Sequence, residues 1–361
     1  MAREGQLGYR QLVCAELPGS CLDRPSGVPL ASSSTPSRKK REGFELLYIK
    51  RVSPFIPPQR VTVSDLKGEL GLTEEQVQMY ERFLGMRRIA VAPDHSVLDM
   101  LLAAAQDALA DADRDAVRYL VHAHTMQHAA PGADRLLDGL RAKLGLEHVR
   151  GFGLSHQNCA VGLYALRVAE ALLALEPAGS TLLLVGGEKV PSSVVQRNAG
   201  LTLLGEAAAA CLLGTRPPGH RVLSTAYRVL GEFHDVLDMP EEKRRRYEHA
   251  YVPTIASVMT EAVAAAGLAM ADLSVVVPHN VNRLFWRQLS TRLDFPIERV
   301  FLDNVGELGH CFCVDPFVNL ASAESAGRLP LDRGGFVLLV SAGLGATFSA
   351  AVVHIEEGNG K

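Results

Sequence analysis

From about Phe44 onward, two patterns of apolar residues divide the 361-residue chain. Short continuous apolar runs with glycine at their edges predict strands buried on both faces. These are "FELLYIKRV", "VRYLVHAHTM", "STLLLVGGE", "AAAACLLG", "LSVVVPHNVN", "GFVLLVSAG" and "ATFSAAVVHI". Longer segments between them predict helices: "LTEEQVQMYERFLG", "SVLDMLLAAAQDALADA", "EEKRRRYEHAYVPTIASVMTEAVAAAG", "RLFWRQLSTRL" and "FVNLASAESAG". Thr73 and Gln76 have capping-box spacing at the first of these. A further helix follows "SHQNCAVGLYALRVAEALL", in which polar residues Ser155 to Asn158 give way to an apolar run at Cys159. Each half of this pattern places a polar cluster after a strand and closes with two apolar strands. That repetition suggests internal duplication. The alternation of strands and helices indicates a layered α/β fold.

The first forty or so residues break the pattern. "GVPLASSSTPSRKKRE" is rich in serine and proline and ends in a basic run, Arg38 to Arg41. Such a segment buries too little apolar surface to order itself. The expected organisation is an unstructured extension over 1–43, a first half over 44–218 and a second half over 219–361. A basic docking tail is the alternative role for the extension.

Composition narrows the class. Apolar residues make up 47 % of the chain, enough for a large core, and the net charge of -3 argues against a nucleic-acid binder. No stretch is long and apolar enough to span a membrane, and the N-terminus lacks the apolar segment of a secretory signal. A cytoplasmic protein is expected. The six cysteines, Cys14, Cys21, Cys159, Cys211, Cys311 and Cys313, are scattered. Neither a disulfide scaffold nor a zinc site is expected.

Candidate chemistry centres on Cys159. A thiol where a helix begins feels unpaired N–H groups and the positive end of the helix dipole, both of which favour thiolate. The ordinary fate of a free cysteine is burial as a small apolar residue. A base is available in His279, just past "VVVP", with Asn280 and Asn282 beside it. The loop "GELGHCFCVDP" adds Glu307, His310 and Asp315, any of which could orient His279 as the third member of a triad. Read structurally, the same loop is a turn followed by a helix start at Asp315 and Pro316. Gly343 and Gly345 in "SAGLGATFSA" permit close backbone approach, as an oxyanion hole or a plain turn requires.

Four stretches together, "NCAVGLYAL", "LLGEAAAACLLG", "VVVPHNVN" and "SAGLGATFSAAVV", resemble the β-ketoacyl-acyl carrier protein synthase III family of the thiolase superfamily. The resemblance covers the chain from about residue 44 to the end. It implies a duplicated, five-layered αβαβα fold, a cytoplasmic homodimer and acyl transfer through a cysteine thioester. It casts Cys159 as nucleophile, His279 as general base, and the Cys159 amide with Gly345 as oxyanion hole. No cofactor or metal is implied; the substrate is a thioester of coenzyme A or of an acyl carrier protein. Arg283 and Arg287, which follow the histidine, are the candidate docking surface for an acidic carrier, ahead of Arg244 to Arg246 and Arg292.

One departure separates the chain from the condensing members. They carry a Gly-Asn pair in the loop after the histidine, and that asparagine helps to stabilise an enolate. Here Gly309-His310 or Gly306-Glu307 stands in its place. A Cys159–His279–Asp315 arrangement resembles instead the acyltransferase branch, which moves an intact acyl group onto a hydroxyl or amine in antibiotic and polyketide assembly. Two alternatives remain: a decarboxylating synthase in which His310 replaces the asparagine, and a catalytically silent partner subunit.

Overall fold

The computed structural model describes residues 47–126, 135–198, 201–236 and 238–358. The 1–43 extension, with Cys14 and Cys21, lies outside them. In chain order the first half comprises β1 (Leu47–Phe55), β2 (Arg60–Thr62), α1 (Glu74–Gln78), β3 (Arg88–Ala90), α2 (Val97–Ala108) and β4 (Val117–Ala123). It continues with α3 (Arg135–Leu144), β5 (Arg150–Leu154), α4 (Val161–Leu173), β6 (Thr181–Glu188), α5 (Ser193–Gln196), β7 (Arg197–Asn198), β8 (Thr202–Leu203) and β9 (Ala207–Gly214). The second half comprises β10 (His220–Val229), α6 (Glu241–Ala265), β11 (Leu273–Pro278), α7 (Arg283–Arg292), α8 (Asp315–Ser325), β12 (Gly335–Gly343) and β13 (Thr347–Ile355).

The elements begin where local chemistry directs. Thr73 caps α1 through a capping box with Gln76, and Ser96 caps α2 with Asp99 in the same way. Asn282 caps α7 by accepting from the Phe285 N–H at 2.7 Å. Several segments escape the apolar-run criterion, among them β10 and α3. β10 alternates buried and half-buried positions and carries arginine, serine and tyrosine. α3 intersperses its leucines with charged residues, and Leu140 and Leu144 are buried.

Nine strands form one hydrogen-bonded array in the order β11-β12-β13-β10-β1-β9-β6-β4-β5. The array contains the same unit twice. β4 runs parallel to β6, β6 antiparallel to β9, and β9 antiparallel to β1. In the second half β11 runs parallel to β12, β12 antiparallel to β13, and β13 antiparallel to β10. The units meet where β1 and β10 pair, Leu47 opposite Val222.

Strand periodicity sorts the core into layers. Tyr119, Val121, Leu182 and Leu184 of the first unit, and Val275, Val277, Val337 and Leu339 of the second, face one common core containing α4 and α8. The alternate residues, Leu120, Leu183 and Val185, turn outward onto α2 and α3. Val276, Leu338 and Val340 turn outward onto α6 and α7. The result is the expected αβαβα stack, with α4 and α8 buried at its centre. Close packing there depends on Gly162, where an added Cβ would lie 2.2 Å from the Cys313 carbonyl oxygen.

Candidate active site

Cys159 sits in the 3₁₀ turn Asn158–Ala160 that leads into α4, with only 4 % of its surface exposed. Its backbone is tied to the second unit: the Ser341 hydroxyl donates to the Cys159 carbonyl at 2.7 Å, and the Thr347 hydroxyl to that of Gln157 at 2.6 Å. Asp315 opens α8 and is fully buried. The first turns of the two central helices therefore face each other.

His310 lies between them. Its Nε2 is 3.2 Å from the Cys159 sulfur, and its Nδ1 hydrogen-bonds the Asp315 carboxylate. A carboxylate only accepts, so the neutral ring carries its proton on Nδ1 and turns the Nε2 lone pair to the thiol. The His310 backbone is fixed on both sides, donating to the Leu203 carbonyl at 2.9 Å and accepting from Gly205 N–H at 3.0 Å. Burial opposes charge on the ring, but the Asp315 carboxylate and the Cys159 sulfur raise its pKa well above the ordinary value. His310 is thus a strong proton acceptor for the thiol.

This pairing corrects two expectations. Asp315 hydrogen-bonds the His310 ring and not that of His279. Its other partners are the backbone and side-chain amides of Asn280, at 2.6 and 3.2 Å, and the Cys311 N–H at 2.8 Å. Glu307, the other acidic candidate, turns away from the thiol and forms ion pairs with Arg87 and Arg88. Sequence reasoning missed Asn319, four residues after Asp315 on the same helix face. It donates to the Asn280 side chain at 2.8 Å and the Pro278 carbonyl at 2.6 Å, holding the loop after β11 in place.

His279 is the second imidazole at the site, its ring centroid 5.8 Å from that of His310 and its edge against Trp286. It is fully buried, and its Nδ1 has no hydrogen-bond partner. Burial, reinforced by the neighbouring His310, pushes its pKa down to about 3. The ring is neutral at pH 7, suited to donating a hydrogen bond and poorly suited to keeping a proton. This has a consequence for stability. The folded value lies below the unfolded value of 6.5, so the unfolded chain binds this proton first as the pH falls. The contribution of His279 is complete above about 6.5 and is lost as the pH falls toward 3, at about 1.4 kcal/mol per pH unit. His310 has the opposite sign: its contribution is complete below the unfolded value and is lost as the pH rises through its own raised value. Thermal melts of His279→Gln between pH 7 and 4 should therefore fall less steeply than those of the wild type. Parallel slopes would exclude this assignment.

The Cys159 N–H has a partner N–H in Leu344, one residue before the expected Gly345. Both donate to the Asn158 side-chain oxygen, at 3.0 and 3.1 Å. Gly345 has φ +77° in the three-residue loop between β12 and β13, and Leu344 is the first residue of that loop. The loop approaches so closely that a Cβ on Gly343 would lie 2.7 Å from the Cys159 nitrogen. Among the docking candidates, Arg287 and Arg292 are exposed, whereas Arg283 packs its stem against Gly85 and reaches the Leu302 carbonyl at 3.4 Å. Arg244, Arg245 and Arg246 pair with Glu241 and Glu232, as on an ordinary solvated helix face.

A buried thiol, an imidazole with a carboxylate behind it and two convergent N–H groups suit acyl transfer through a thioester. Comparison with known proteins agrees. Residues 155–231 match the model of 3-oxoacyl-[acyl-carrier-protein (ACP)] synthase III, and residues 263–355 match the model of its C-terminal part. The β-ketoacyl-[acyl-carrier-protein] synthase III of Oleidesulfovibrio alaskensis is 27 % identical over 85 % of this chain and 98 % of its own. The protein of the same name from Pectobacterium atrosepticum is 29 % identical over 83 % of this chain and 96 % of its own. Two solved structures share the fold. "ChlB3 [Aceyltransferase]" has a TM-score of 0.76 and 22 % identity, over 86 % of this chain and 98 % of that one. The priming β-ketosynthase from the R1128 polyketide biosynthetic pathway has a TM-score of 0.72 and 22 % identity, over 87 % and 97 %. On motifs, fold and family models together, the chain is similar to the β-ketoacyl-acyl carrier protein synthase III family and shares its thiolase-like fold.

Proposed function

We propose that this enzyme moves an intact acyl group from a coenzyme A or carrier-protein thioester, through Cys159, to a hydroxyl, amine or carrier-bound acceptor. The secondary-metabolite setting of the polyketide ketosynthase and of other acyltransferases is the context we assign to it. The observation that carries this reading is the hydrogen-bonded line from the Cys159 sulfur through His310 to Asp315. In the first step His310 takes the thiol proton, the sulfur attacks the thioester carbonyl, and a carbon–sulfur bond forms. The Cys159 and Leu344 N–H groups receive the developing oxyanion. The donor thiolate leaves and takes the proton from His310. In the second step His310 removes the proton of the acceptor, which attacks the acyl-cysteine and returns the sulfur to its resting form. Asp315 keeps the ring in the tautomer that both steps use. Neutral His279 faces the same space as a hydrogen-bond donor.

A decarboxylating condensation is the second reading, favoured by the presence of two imidazoles beside the thiol. Mass spectrometry separates the two. Incubation with a set of acyl-coenzyme A donors should leave an acyl adduct on Cys159, absent in Cys159→Ala. Release of the acyl group to an added alcohol or amine, without carbon dioxide from malonyl thioester, supports transfer. Carbon dioxide release and a β-ketoacyl product would replace this reading with the condensing one. Persistent acylation at another residue would remove both.

A further inference from the structure

The position that a thioester carbonyl would take is already filled by the chain itself. The Asn158 side chain places one atom against three donors: the Cys159 N–H at 3.0 Å, the Leu344 N–H at 3.1 Å and the Cys159 thiol at 3.2 Å. Two of these are backbone N–H groups, so the atom they converge on is the amide oxygen. An amide carbonyl is the nearest chemical relative of a thioester carbonyl among side chains. Asn158 has φ +47°, a backbone conformation that asparagine adopts more readily than most residues. The turn that precedes the nucleophile therefore holds the amide over the sulfur.

We infer that Asn158 is a resident occupant of the oxyanion site and gates the first half-reaction, an inference resting on the acyl-transfer reading above. A donor is accepted only when its carbonyl displaces the Asn158 oxygen from both N–H groups. The same contact bears on the thiol proton. In its thiol form the sulfur has one proton and faces two acceptors, Asn158 Oδ1 and His310 Nε2, each at 3.2 Å. While the proton points to Asn158 it is not shared with the base. Filling of the oxyanion site by substrate thus also redirects the proton to His310. Asn158 is in this sense a positioning residue that selects for donors able to seat their carbonyl.

The test compares two reactions of Cys159, mapped by peptide mass. Acylation by S-phenyl thioacetate uses the oxyanion site, whereas alkylation by iodoacetamide does not. Asn158→Gly removes the amide and tolerates the positive φ. The ratio of acylation to alkylation rates should rise about tenfold or more over wild type, the effect of two lost hydrogen bonds. Asn158→Asp keeps the shape but holds the two N–H groups with a charge, so the same ratio should fall about tenfold. Unchanged ratios in both variants would overturn the gate while leaving Cys159 as acyl carrier. Should the glycine variant not fold, the near-isosteric aspartate variant carries the test, and so does the acylated wild type. In a crystal structure of acetyl-Cys159 enzyme, Asn158 Oδ1 still bonded to both N–H groups would refute the proposal. A thiol that iodoacetamide labels but the thioester never acylates, in wild type and variants alike, would overturn both the gate and the acyl-transfer reading.

Discussion

His310→Ala should slow the acylation of Cys159 by about 10⁴-fold or more, the scale seen when a triad member is removed. His279→Ala should slow it far less. The difference follows from where the two rings lie. His310 touches the sulfur and is backed by a carboxylate, and its pKa stands well above the ordinary value. His279 has no hydrogen bond to either group, and its pKa is pushed down to about 3. A ring that is neutral at every working pH cannot hold the thiol proton while the donor binds. Single-turnover acylation of the two alanine variants, followed by mass, ranks them directly. A His279→Ala enzyme as impaired as His310→Ala would assign the base to His279, and an unimpaired His310→Ala would remove the relay.

Asp315→Asn is expected to lose activity on a similar scale, about 10⁴-fold, because the amide no longer fixes the His310 tautomer or stabilises its charged form. It should also lose stability, which a simple helix-capping residue would not do to the same degree. The carboxylate accepts four hydrogen bonds: from Asn280 N and Nδ2, His310 Nδ1 and Cys311 N. An asparagine has only one oxygen, and its NH₂ group faces donors. Each donor left unpaired in this fully buried place costs about 1–3 kcal/mol. The melting temperature should fall measurably while iodoacetamide still labels Cys159. Wild-type transfer rates in Asp315→Asn would dismiss the Cys159–His310–Asp315 assignment.

The layers were legible because strands buried on both faces have to be apolar throughout. "LLLV", "AAAACLL" and "VLLV" are short runs edged by glycine, which favours such strands. β10 was not legible because it lies at the junction of the two units and keeps polar side chains on its half-buried positions. At the site, Cys159, His310 and Asp315 all belonged to the sequence-derived set, but the partnership within it was misassigned. What aims His310 at the thiol is long-range: backbone bonds to Leu203 and Gly205 and a left-handed turn at Gly309, φ +71°. No local spacing encodes that. The N–H that converges with that of Cys159 belongs to Leu344, the residue before the expected Gly345. Asn158 drew no attention because an asparagine before a nucleophile resembles an ordinary turn residue until its three donors are seen.

The repeated sheet unit gives the chemistry an uneven inheritance. α4 follows the strand pair β4–β5 and leads to β6, while α8 follows β11 and leads to β12, so the two buried helices are counterparts. Their starting turns have diverged into complementary tools. One presents a sulfur and the other a carboxylate with its histidine, and the second unit also supplies the Leu344 N–H across the seam. Each copy taken alone holds half of the hydrogen-bonded line: the first the Cys159 sulfur, the second the His310 imidazole and its carboxylate.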